Sequence, residues 1–162
     1  SNIIKKTKRH LPLRLAALLL GAERRECAEA LNFLKIDNKT KNETLKILDI
    51  FTEGVEQSEL SVRKAAYKYG SDALLQAFEL MSATGADASE LVKIYDKVKD
   101  DPLTVKSLLV SGDDLLSLGI EGKCVGATIK SLMEAVLQNP SNNKREVLLN
   151  MAKDLQKSCN KD

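Results

Sequence analysis

Apolar residues recur along this chain at intervals of three and four, and no useful stretch alternates strictly between apolar and polar positions. The pattern predicts helices throughout. Pro12 suits the first turn of a first helix and Gly21 its end, with Leu15, Leu18 and Leu19 as its apolar face. A second helix is expected from about Glu23 to Leu34, burying Cys27, Ala30, Leu31 and Leu34. Asp37 and Asn38 offer caps for a third, which turns Leu45, Leu48 and either Ile47 or Phe51 inward and ends at Gly54. Ser61 opens a short fourth helix through Tyr69, closed by Gly70. Ser71 caps a fifth, with Leu74, Leu75, Phe78 and Met81 on its buried side and Gly85 at its end. Asp87 or Ser89 starts a sixth, whose stripe is Leu91, Ile94, Tyr95 and Val98.

Asp100-Asp101-Pro102 is polar and helix-breaking, and it marks the expected boundary between two lobes, residues 1–101 and 102–162. Beyond it, a short helix over Asp113 to Leu118 leads through a glycine-rich turn into a longer helix ending near Gln138. That helix carries Val125, Ile129, Leu132, Met133 and Val136 at the spacing of a half-buried face. Asn139-Pro140-Ser141 stops it, and Asn142 or Asn143 caps a last helix that buries Val147, Leu148, Met151 and Leu155. The expected fold is all-α: a multi-helix bundle of about nine helices in two lobes, with no internal repeat.

Composition refines the picture modestly. The 162 residues are 43% hydrophobic and 30% charged, an ordinary globular balance. With aromatics at only 4%, the core must be aliphatic. The net charge of +2 is too small to argue for nucleic acid by itself, so any such case rests on where the charges sit. The longest apolar run, Leu15 to Leu20, is too short to cross a bilayer. The basic start, Lys5, Lys6, Lys8 and Arg9, leads into Leu11-Pro12-Leu13-Arg14 rather than a signal-peptide core. The opening Ser1-Asn2 reads as a tag remnant joined to an internal stretch, with a naturally processed terminus as the alternative. Cys27, Cys124 and Cys159 are odd in number and widely spaced, which argues against a disulfide framework or zinc site and fits a reducing, cytoplasmic setting.

Candidate catalytic chemistry is absent from the sequence. His10 is the only histidine, which rules out a multi-histidine metal site and a conventional Ser-His or Cys-His arrangement. Gly122-Lys123 is followed by Cys124, and the upstream glycine of a Walker A loop is missing. Asp113 and Asp114 are adjacent rather than spaced as an Asp-x-Asp metal clamp, and they suit the dipole of a helix start. No catalytic and no metal-binding residues are assigned.

The segment Val110 to Gly126 is the most informative. Gly119 and Gly122 permit backbone angles that side chains forbid. Their turn delivers free N–H groups to the start of the next helix, a geometry predisposed to bind phosphate. Lys123 adds positive charge, and Gly126 would allow close approach of another backbone or a ligand. The competing reading is a helix C-cap followed by a compact helical hairpin.

Two blocks carry a family resemblance. Val110-Ser111-Gly112-Asp113-Asp114-Leu115 with Leu118-Gly119-Ile120-x-Gly122-Lys123-x-Val125-Gly126, then Asn139-Pro140-x-x-Asn143-x-Arg145-Glu146-x-Leu148-Leu149, resembles the tail of bacterial tRNA nucleotidyltransferases, the CCA-adding and poly(A) polymerase family. Leu13-Arg14-Leu15-Ala16-Ala17-Leu18-Leu19, with Leu31-x-x-Leu34-Lys35-x-x-Asn38-Lys39, looks like the same family's body domain. Between the blocks only helical character matches. Where many relatives carry His-Asp after the Leu-Leu run, this chain has Leu20-Gly21, which argues against a metal-dependent phosphohydrolase here.

The resemblance implies a C-terminal region that docks the acceptor stem and T-loop side of tRNA by shape and phosphate contacts. Nucleotidyl transfer, with its Mg2+ and its CTP or ATP, is expected of a catalytic head that this chain lacks; no cofactor is expected of these residues. The RNA-binding residues implied are Gly122, Lys123, Gly126 and Lys130 at the turn, Lys144 and Arg145 at the last helix, and Lys35, Lys39 and Lys41 in the body. Basic residues in the first turn at Lys144 and Arg145 oppose the helix dipole, so a partner anion is one explanation and ordinary solvation the other. Arg63, Lys64 and Lys68 form a third cluster, read as plain surface. The alternatives are a poly(A) polymerase region, or a helical protein-interaction or homodimerisation module that never touches RNA.

Overall fold

The computed structural model describes residues 10–159. Ser1-Asn2 and the basic run Lys5, Lys6, Lys8 and Arg9 lie outside the described residues. Nine α-helices and two short 3-10 turns account for the architecture, with no strand among the described residues. The helices group into two compact units that divide between Lys99 and Asp100.

The first unit holds α1 (Leu11–Leu19), α2 (Arg24–Phe33), α3 (Asn38–Glu53), α4 (Glu59–Tyr69), α5 (Ser71–Ala83) and α6 (Ser89–Val98). Side-chain oxygens define several starts: Asp37 accepts from the Thr40 N–H and Ser58 from the Ser61 N–H. Glu23 and Glu26 close a capping box at α2. Helix α3 is the centre, contacting α1, α2, α4 and α5. Its Ile47, rather than Phe51, is fully buried, as are Leu13, Leu31, Leu74, Phe78 and Leu80 in this unit. Each such burial contributes roughly 1.5–3 kcal/mol.

Several expected inward positions lie elsewhere. Leu18 and Leu34 are 60% and 53% exposed. In α1 the buried arc is Leu13, Leu15, Ala16 and Ala17, rotated from the expected one because small alanines let α3 approach closely. Leu34 is the C-cap of α2, where the helix has stopped facing the core. Arg63, read as surface, is buried and donates to Glu59 at 2.8 Å. Tyr69 is buried too, with its hydroxyl donating to Glu53 at 2.7 Å. Cys27 is a buried free thiol whose pKa is pushed up chiefly by burial, which keeps it protonated and unreactive.

The second unit holds α7 (Gly112–Ser117), α8 (Lys123–Gln138) and α9 (Arg145–Cys159), with 3-10 turns at Val105–Ser107 and Pro140–Asn142. Its core is Leu115, Ile120, Leu132, Met133, Val136, Leu137, Leu148 and Ala152. Val125, Ile129, Val147, Met151 and Leu155 are only half-buried. Cys124 is disulfide-bonded, so the wide spacing of the cysteines did not exclude a bridge.

Candidate nucleic-acid interface

Helix α7 is short, and both of its ends are closed by specific bonds. At its start the Ser111 hydroxyl accepts from the Asp114 N–H at 3.3 Å, and the Asp114 carboxylate accepts from the Ser111 N–H at 2.8 Å. At its end the Ile120 N–H reaches the Leu115 carbonyl at 3.0 Å and the Gly119 N–H reaches that of Leu116 at 2.9 Å. This is a Schellman cap, and it requires the left-handed φ of +77° that Gly119 supplies. Gln156, from α9, donates to the Leu118 and Gly119 carbonyls at 3.0 and 3.2 Å. The capping reading thus accounts for Gly119 in full.

It does not account for the glycines that follow. Gly122, with φ of +57°, is the N-cap of α8 and provides no capping side chain. The Cys124 and Val125 amides turn back to the Glu121 and Gly122 carbonyls at 3.2 and 3.3 Å. The Gly122 and Lys123 N–H groups make no hydrogen bond within the described chain. A Cβ added at Gly122 or at Gly126 would meet no atom within 4 Å. No other backbone lies against Gly126, so close packing within this chain does not explain it. Lys123, Gly126, Ala127 and Lys130 are all exposed, three and four residues apart, and share one open face of α8.

At the last helix the two basic residues differ. Lys144 is exposed, and its carbonyl accepts the Leu148 N–H as the helix begins. Arg145 is engaged: its guanidinium donates to both carboxylate oxygens of Asp114, one at 3.1 Å. The anion that offsets its position is internal. Arg145, followed by Ser111, holds the Asp114 carboxyl far below the ordinary carboxylate range, and Asp114 raises Arg145 in turn. Asn143, expected only as a cap, accepts from the Leu109 N–H at 3.0 Å and donates to the Ser107 carbonyl at 2.9 Å.

The first unit's candidate patch sits at the α2–α3 junction. Lys35 is exposed and holds a left-handed φ of +53°, the only non-glycine among the described residues to do so. It closes a second Schellman cap, in which Ile36 N–H reaches the Leu31 carbonyl at 3.1 Å. Lys39 is exposed. Lys41 instead donates to the Asn32 side chain at 2.7 Å. In the third cluster Lys68 pairs with Glu53 at 3.0 Å and lies 4.6 Å over the Tyr69 ring, while Lys64 is exposed. A broad cleft of about 820 Å3 in the same unit faces Glu43, Asp72 and Glu79, a sign of charge that repels phosphate. Among the described residues no three His, Cys, Asp or Glu side chains are grouped to hold a metal ion, and no helix is long and apolar enough to cross a membrane.

These features define an all-helical region whose exposed functional groups are backbone amides and lysines. The chain belongs to the family described as tRNA nucleotidyltransferase domain 2, which matches residues 11–152. No curated protein and no solved structure matches the chain. The sequence pointed to the glycine turn, but it did not disclose Gln156 or the Asp114–Arg145 pair. Both join residues more than thirty positions apart in the chain.

Proposed function

We propose that this chain is the tRNA-binding C-terminal region of a tRNA nucleotidyltransferase of the CCA-adding type. It docks the acceptor stem and T-loop side of tRNA through shape and phosphate contacts. Mg2+ and CTP or ATP serve a catalytic head that these residues do not include. The observation that carries this reading is the open face of α8. Two unbonded amides at Gly122 and Lys123, a bare Gly126 and two lysines, Lys123 and Lys130, present donors and positive charge where no part of the unit covers them. A phosphate backbone can come close there because Gly126 has no side chain. Lys144 in the same unit, and Lys35 and Lys39 in the first unit, are further exposed cations that RNA would meet. Arg145 and Lys41 have internal partners and reach RNA only by giving them up.

Titration of a tRNA transcript against salt tests the reading. Affinity should fall steeply as salt rises, and Lys123→Glu should weaken binding and flatten the slope by about one phosphate contact. No binding at low salt would overturn it. A second reading, a homodimerisation module, is favoured by Leu109 and Leu116, both more than half exposed in the second unit. A dimer in sedimentation, indifferent to RNA, would select it. The same surface in a poly(A) polymerase would hold a wider range of RNAs, which competition between tRNA and an unrelated transcript resolves.

A further inference from the structure

Phe33 is 87% exposed, the most exposed of the large hydrophobic side chains among the described residues. It is the last residue of α2, and Leu34, 53% exposed, follows it. Lys35 comes next, in a left-handed conformation that glycine would hold without strain. The Lys41–Asn32 bond, 2.7 Å, brings the first turn of α3 against the last turn of α2. Lys39, two residues earlier in that turn, is exposed. Of the carboxylates nearby, Glu29 pairs with Arg25 at 2.9 Å, and Asp37 turns its oxygen to the Thr40 N–H as the cap of α3. The first turn of α3 holds no acidic residue.

One aromatic ring and one leucine are too little apolar surface for the core of a protein interface. They match a single nucleobase, whose flat face stacks on an aromatic while its phosphates meet flanking cations. Strain at a residue beside an exposed ring is the kind of feature that concentrates at binding sites. We infer that Phe33 is a stacking platform for an unstacked base of the bound RNA, with Lys35 and Lys39 on the adjoining phosphates. This rests on the RNA-binding reading above and deepens it: the first unit reads a looped-out or single-stranded nucleotide, not duplex shape.

The experiment uses the full chain with two probes, a tRNA transcript and a blunt RNA duplex of acceptor-stem length. Phe33→Ala should weaken tRNA binding by about 5- to 150-fold, the range for losing one stacked base. It should leave duplex binding and the melting temperature unchanged, and Phe33→Tyr should restore tRNA affinity. Lys35→Gly should raise the melting temperature while lowering tRNA affinity, a split that a purely structural lysine would not give. Unchanged tRNA affinity in Phe33→Ala, alongside a loss in Lys123→Glu, would overturn the platform and leave the phosphate reading standing. A change in sedimentation instead of RNA affinity would overturn it in favour of a protein partner. Absence of tRNA binding by the parent chain would overturn both readings.

Discussion

The Arg145 guanidinium grips both carboxylate oxygens of Asp114 across 31 residues of sequence. The same carboxylate caps α7 through Ser111, so one side chain fixes both a helix start and the docking of α9. Because these bonds favour the ionised form, Asp114 titrates lower in the folded than in the unfolded state. A depressed carboxylate contributes stability above its unfolded pKa of about 3.9 and loses it as pH falls toward the folded value. The second unit should therefore weaken below about pH 4. In Asp114→Asn that part of the acid dependence should vanish, with melting curves of parent and variant converging at the acid end. Parallel curves over the whole range would contradict the assignment.

Gly126 offers a sharper separation of folding from binding. It sits inside an exposed helix face with open space around it. Gly126→Ala should stabilise the chain by about 0.5–1 kcal/mol, the helix penalty that glycine carries. Gly126→Leu should fold as well as the parent and bind tRNA distinctly less tightly, because its side chain occupies the approach path. Urea denaturation and filter binding on the same samples would report both effects.

The two phenylalanines Phe78 and Phe33 should behave oppositely in denaturation. Phe78 is 1% exposed, at the centre of the first unit. Phe78→Ala should cost about 3–5 kcal/mol through lost burial and a residual cavity. Phe33→Ala should stay within about 0.5 kcal/mol of the parent. Equal losses would mean that the ring of Phe33 is covered in solution.

Gln156 should report on the glycine turn. Gln156→Met keeps the side chain's length and removes both donated bonds, leaving the Leu118 and Gly119 carbonyls without their cap. The expected cost is about 0.5–1.5 kcal/mol per bond. Faster amide exchange at Gly119 and Ile120, with protection in α8 retained, would show that the loss is local to the turn.

Helix existence was readable in the sequence because it depends on near neighbours. The stripe Leu91, Ile94, Tyr95 and Val98 is buried at all four positions, and Asp37 caps α3. Orientation was less readable where small residues set the approach: four-residue spacing cannot tell which arc of Leu15, Ala16, Ala17 and Leu18 faces α3. Starts slipped where the capping hydroxyl lay a turn earlier, as at Ser58 rather than Ser61 for α4. Ion pairing was least readable. Arg63 and Lys64 are neighbours of equal charge, yet one is buried on Glu59 and the other exposed. For the candidate site, glycine spacing pointed to an unusual backbone. Nothing local could show that Arg145 is spoken for by Asp114 while Lys144 is not, since that pairing exists only once the chain has closed.

The clips that α9 and the residue Asn143 just before it place on earlier segments also order events in time. Asn143 holds Ser107 and Leu109, Arg145 holds Asp114, and Gln156 seals the turn at Leu118 and Gly119. A chain emerging from the ribosome exposes those earlier segments first, with their partners still unmade. The turn at Leu118 and Gly119 therefore gains its last hydrogen bonds only after α9 has left the exit tunnel. The second unit's long-range bonds thus come together with its last helix rather than accumulating along the way.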